Sequence, residues 1–225
     1  MSTKLEVCID NIAGLEACIE GNADRIELCS FLTHGGLTPT VGLMKQASDS
    51  KIPLRIMVRP KSGNFHYSSS DLNQMKNDID MAHYFDFEGV VFGATLVNGE
   101  IDQAFLEKLV EHAFGLKKTL HRAIDTISDT VGAVEIATNL GFDCILSSGG
   151  AKTANDGLSV LKEMHSKALG KIEIMPGSGI NPENAQKIAL SSNFNWIHSS
   201  CSSIFENSPF TDSNKMISIK NEINY

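Results

Sequence analysis

Lys117-Lys118-Thr119-Leu120-His121-Arg122-Ala123-Ile124-Asp125 is the stretch from which the fold can be read. A short apolar strand pattern ends there in a histidine, an arginine and, three residues later, an aspartate. The same design recurs along the chain: a buried-strand pattern, a polar or glycine-rich end, then helical periodicity. The strand segments are LEVCI (5–9), RIELC (25–29), LRIMVR (54–59), GVVFG (89–93), KKTLHR (117–122), CILSS (144–148), KIEIM (171–175) and WIHSS (196–200). Helical patterns fall between them near 11–20, 40–49, 70–84, 102–114, 129–139, 155–167 and 181–191. Pro39 and Pro182 stand where first helical turns would begin, and Gly21, Gly141 and Gly170 where helices would stop. Strand starts lie about 20–35 residues apart, the length of a βα unit. Eight such units predict an α/β fold, a single-domain (β/α)8 TIM barrel over residues 1–210, with 211–225 as a C-terminal tail or closing helix of the same domain. A doubly wound open sheet is the competing arrangement, but it would more usually hold five to seven strands.

Bulk properties narrow the function. A chain of 225 residues with a net charge of −8 and no Lys/Arg block does not suit nucleic acid, whose phosphates are bound by clustered cations. No apolar run approaches the ~18–20 residues of a membrane span, so no membrane partner is expected. The first residues, MSTKLEVCID, enter a strand pattern at once and lack a signal-peptide core, so a cytoplasmic location is expected. Five cysteines without CxxC or zinc spacing read as free thiols in that compartment.

Side chains two apart on a strand share a face. Glu6, Cys8 and Asp10 therefore oppose Val7 and Ile9, and Glu27 and Cys29 oppose Ile26 and Leu28. Helices should cover the aliphatic faces, so the polar set is expected inside the barrel, some of it low down as a satisfied ion-pair network. The candidate catalytic set is Glu27, Arg59, His121, Asp125 and His198. Arg59 would grip a carboxylate or phosphate with two donors. His121 would move protons, with Glu27 orienting it or sharing a proton and Asp125 as its loop-borne partner. Arg122 would face the helices or the rim and anchor the loop.

Two further sets stand at strand ends. Gly149, Gly177, Ser178, Gly179, Ser199 and Ser200 lie in loops after strands six to eight, where barrels of this kind present backbone N–H groups to anions. Cys8 and Cys29 end neighbouring strands about 4.8 Å apart with the same parity, so both sulfurs are expected to reach one metal ion. Two soft thiolates, with Met57 or His121 nearby, favour Cu(I). The bland alternative for either cysteine is core packing. The loop after strand three carries Phe65 and Tyr67, which would pack on a ligand as a lid.

At these residues the chain resembles the CutC family, named for copper homeostasis. The resemblance rests on NADRIELC (22–29), GGLTPTVGLM (35–44), Arg59-Pro60 with GNFHYS (63–68), HRAID (121–125), LSSGG (146–150), MPGSGI (175–180) and IHSS (197–200). It implies a cytoplasmic (β/α)8 barrel that self-associates as a dimer or larger homo-oligomer, and a Cu(I) site at Cys8 and Cys29. Glu27, Arg59, His121, Arg122, Asp125 and His198 fall on the family's recurrent pocket positions. Two functions follow as expectations. One is Cu(I) binding and trafficking through the strand-end cysteines. The other is an enzyme of isomerase, lyase or hydrolase type acting on a small anionic or phosphorylated metabolite.

Overall fold

The computed structural model describes residues 2–224. Eight parallel strands form the barrel: β1 (Lys4–Ile9), β2 (Arg25–Leu28), β3 (Leu54–Met57), β4 (Gly89–Phe92), β5 (Lys117–Leu120), β6 (Cys144–Ser147), β7 (Glu173–Pro176) and β8 (Trp196–Ser199). They run in the order β7-β6-β5-β4-β3-β2-β1-β8, and a parallel bridge between Gly177 and His198 closes the circle. Helices α1 (Ile12–Glu20), α2 (Val41–Ala47), α3 (Ser69–Tyr84), α4 (Gln103–His112), α5 (Ala133–Leu140), α6 (Leu158–Ala168) and α7 (Ala185–Leu190) alternate with them. A (β/α)8 barrel is thus present, as the strand–helix alternation predicts.

The alternation of side chains explains the layering. Val7, Ile26, Ile56, Val90, Ile145 and Ile197 are fully buried on the outer face of the sheet. They share one hydrophobic core with Leu15, Met44, Ile79, Leu109, Leu161 and Ile188 of the helices. Polar side chains take the opposite parity and fill the inside. Charges cannot be buried unpaired, and at the lower end they are paired. Glu6 and Arg25 form a salt bridge at 2.5 Å, and the Arg25 guanidinium lies 3.8 Å over the Trp196 ring. Arg55 donates to Thr119 Oγ1 at 2.7 Å and bridges Glu88 at 3.3 Å. Burial opposes ionisation of Glu6, yet Arg25 and then His198 hold its carboxyl well below the usual range. This ionic floor, with Cys144, Leu146 and Met175 packed beside it, plugs one end of the barrel.

The segment after β8 is more regular than its sequence suggests. It forms an antiparallel hairpin, β9 (Ser202–Phe205) and β10 (Ser208–Thr211), followed by α8 (Ser213–Ile223). Glu206 and Asn207 take φ of 47° and 62° at the hairpin tip, the left-handed pair that a two-residue turn requires. Asp212 caps α8, accepting from the N–H groups of Asn214 and Lys215. Met216, Ile219 and Ile223 lay the helix into the main core.

Candidate metal and ligand site

The loops that follow the strands surround a cavity of about 710 Å³. Cys8, Glu27, Met57 and His198 line its inner wall, Arg59, Phe65 and His121 one side, and Ser178, Gly179, Ser199, Ser200 and Lys215 the other.

Strand register decides which cysteine meets which partner. Cys8 pairs with Glu27 across β1 and β2. Cys29 therefore sits two residues farther along β2, about 6–7 Å at ~3.3 Å per residue. Sequence parity alone puts both cysteines inward, but the stagger of the barrel puts them at different levels. Cys8 lines the cavity, whereas Cys29 packs with Met57 and Val91. Burial, and after it Glu27, pushes the Cys29 thiol well above 9.0. Cys8, Glu27 and His198 bring ligand atoms within 4.8 Å of one another, and Cys29 stands beside this group, its thiol 3.6 Å from Glu27 and close enough to Cys8 for that sulfur to add to its raised pKa.

His198 is fixed for this position. Its Nδ1 bonds Glu6 Oε1 at 2.8 Å, which leaves Nε2 facing Glu27 Oε2 at 3.8 Å. Such a carboxylate behind an imidazole sets the ring's orientation and raises its basicity. Burial disfavours the cation, but Cys8, Glu27 and Glu6 outweigh it and hold the imidazole pKa well above 6.5. Burial raises the carboxyl of Glu27, with Glu6 adding to the effect against His198 and Arg25. Glu27 Oε1 is buried without a hydrogen-bond partner, and Oε2 accepts from the Cys29 thiol at 3.6 Å.

His121 has the opposite character. It caps a 3-10 turn (Arg122–Thr126), its Nδ1 accepting from the N–H of Ala123 at 3.2 Å. The remaining proton therefore sits on Nε2, which is buried and unpartnered. Burial, then the charge of Arg59, lowers the ring's pKa to about 3. Only a glycine leaves room for this ring: a Cβ on Gly93 would stand 2.6 Å from His121 Nδ1.

Several expected roles move. Asp125 does not bond His121. Its carboxylate accepts from Ser147 Oγ, from Ser148 N and Oγ, from Gly150 N and from Arg122 Nε. It is the organiser of the loop after β6, and Arg122, which lines the cavity, bridges it at 2.8 Å. Glu27 faces His198 rather than His121, and it is Glu6 that orients the His198 ring. Arg59 does not present an open fork: Nη1 donates to the carbonyls of His34, Gly35 and Gly36, and Nη2 to that of Gly63. The guanidinium clasps two loops, and only its Nε lacks a partner.

The glycine loops divide in the same way. Gly177 donates to Ser147 and Gly149 to Ser147 Oγ, and neither lines the cavity. A Cβ on Gly149 would meet Gly157 O at 2.4 Å, so this glycine serves close packing of two backbone segments. Ser178, Gly179, Ser199 and Ser200 do reach the wall. Phe65 lies against His121 with ring centroids 4.9 Å apart, whereas Tyr67 stacks on Phe105 beneath the loop. Sequence reasoning missed Lys215, which enters from α8 and donates to Ser202 O at 2.6 Å. No strand-end pattern could flag it. Glu6 was visible only as a residue of inward parity, not as the partner of His198.

The match to known proteins covers every residue of this arrangement except Lys215. The family model described as the CutC family matches residues 3–203. The chain belongs to the CutC family. A CutC family protein of Rhizobium meliloti (strain 1021) is 48% identical over 199 residues, 88% of this chain and 81% of that protein. One from Vibrio parahaemolyticus is 44% identical over 201 residues, 88% and 81% of the two chains. The crystal structure of CutC from Streptococcus agalactiae, named for copper homeostasis, superposes with a TM-score of 0.83 at 31% identity, covering 89% of this chain and 99% of that one. Phosphoribosylanthranilate isomerase of Thermotoga maritima, at 14% identity and a TM-score of 0.65 over 98% of both chains, shares the fold alone. Among the described residues no helix is long and apolar enough to cross a membrane.

Proposed function

We propose that this CutC protein handles copper as cargo, holding Cu(I) between Cys8 and His198 with Glu27 beside them. The observation that carries the reading is the convergence of three donor atoms within 4.8 Å at the cavity's inner wall. The donor chemistry fits copper: thiolate is the softest ligand a protein offers, imidazole suits copper in either oxidation state, and Glu27 balances charge. The fit extends one layer outward, because Glu6 bonds the far nitrogen of His198 as carboxylates do behind metal-bound histidines. Cys29 does not share the ion in this reading. It fills space, and its thiol donates to Glu27.

The compartment follows from the chemistry: a free thiol ligand needs the reducing cytoplasm. Self-association belongs to the reading on the family resemblance alone. A catalytic reading has less support, because neither Glu27 nor Asp125 bonds His121 to make an acid–base pair.

Competition for Cu(I) against a chromogenic chelator under anaerobic conditions tests the proposal. Cys8→Ser and His198→Gln should each weaken binding by at least tenfold. Glu6→Gln should weaken it by about 10–100-fold, the usual cost of a lost outer-shell partner. Cys29→Ser should leave it within a few fold. Equal affinity in wild type and Cys8→Ser would remove the site.

A further inference from the structure

A single ion accounts for only the inner wall of the cavity. At about 710 Å³ the space is that of a small-molecule site. Buried polar atoms without partners are rare because leaving them unpaired is costly. Five side-chain atoms of this kind occur among the described residues, and three of them, Glu27 Oε1, Arg59 Nε and His121 Nε2, belong to residues that line this one cavity. Two are donors. Arg59 Nε carries a hydrogen whatever its surroundings, and His121 Nε2 carries one because Nδ1 is already an acceptor.

The two donors share one wall. Phe65 lies 4.7 Å under the Arg59 guanidinium and 4.9 Å from the His121 ring. The local charge also runs against that of the molecule. The chain carries a net −8, yet the side-chain bonds of Arg59 and Lys215 all go to carbonyl oxygens, and neither cation has a carboxylate partner among the described residues. Arg122, the third cation of the wall, is matched by Asp125.

We propose that the cavity is also the binding site of a small hydroxylated oxyanion, a carboxylate or phosphate bearing a hydroxyl group, whose acidic oxygens accept from His121 Nε2–H and Arg59 Nε–H and whose hydroxyl bonds Glu27 Oε1. The surrounding cations supply the sign, and the three unpartnered atoms supply the pattern. Phe65 forms the apolar side that excludes water from those bonds. No chemical step is attached to this site: it is a binding assignment, independent of the copper reading except that Glu27 borders both.

Calorimetric titration of metal-free protein tests it with three probes: glycerate, glycerol 3-phosphate and glycerol. At least one of the two anions should bind saturably at millimolar concentration while glycerol does not, and the stronger of the two identifies the source as carboxylate or phosphate. His121→Phe, which keeps a ring and removes the donor, should weaken the anion about tenfold or more. Glu27→Gln should weaken it less, because one oxygen of the amide remains. In parallel, the Nε2 nitrogen resonance of His121 in the wild-type protein should move on adding the anion, which reads the same contact if the His121 variant does not fold. Absence of saturable anion binding, an unmoved Nε2 resonance, or equal affinity in a folded His121→Phe protein would overturn the proposal. Because no metal is present, failure here leaves the copper site standing, and failure of the copper site leaves this one.

Discussion

His121 and His198 are both buried at strand ends, yet their neighbours give them opposite charge. His198 is ringed by Cys8, Glu27 and Glu6, which favour the imidazolium over the cost of burial. His121 has burial and Arg59 against it and stays neutral, with a pKa near 3 instead of 6.5. Linkage gives the sign of each effect. A depressed folded-state pKa contributes stability that is present above 6.5 and lost as pH falls toward about 3. A raised one contributes stability that is present below 6.5 and lost as pH rises through the folded value. We therefore expect His121→Phe to flatten the loss of stability between pH 6.5 and 3, measured by denaturant unfolding at a series of pH values. An unchanged slope would mean that His121 is not held neutral. Copper affinity should rise from mildly acidic to mildly alkaline pH, because His198 must give up its proton to become a ligand. A pH-independent affinity would exclude His198 from the site. The sequence marked both histidines as inward-facing from strand parity. It could not assign their charges, because those depend on side chains delivered by β1, β2 and the loop after β3.

At the scale of elements, eight strands were visible because each pairs an aliphatic outer face with a polar inner one. Stagger was not visible. Parity is a property of one strand, whereas the level at which Cys8 and Cys29 stand depends on how β1 and β2 slide past each other. That slide places Cys8 opposite Glu27. The hairpin at 202–211 escaped for a related reason: its exposed Ile204, Phe205 and Phe210 show no buried face for periodicity to detect. Asp125 illustrates what a loop residue can do for an element. Its side chain is nearly buried and accepts from the hydroxyls and backbone that start the loop after β6. Asp125→Ala should cost roughly 2–4 kcal/mol of stability, since several donors lose their acceptor at once. Chemical denaturation reads the cost, and a change below about 0.5 kcal/mol, the range of ordinary surface substitutions, would show that solvent replaces those bonds.

At the scale of the whole molecule, the barrel separates two uses of buried charge. Below, Glu6, Arg25, Arg55 and Thr119 satisfy one another and form a floor. Above, Glu27, His121 and Arg59 keep donors and acceptors uncommitted around a cavity. Glu6 connects the two layers, since one carboxylate oxygen bonds Arg25 and the other bonds His198. The floor thereby orients the ligand that the copper reading needs. X-ray absorption at the copper edge of the Cu(I)-loaded protein tests that reading most directly. A first shell of one sulfur with at least one nitrogen or oxygen neighbour is the predicted result, the imidazole contribution disappearing in His198→Gln. A shell of two sulfurs and no light atom would place the ion between Cys8 and Cys29 and contradict the account.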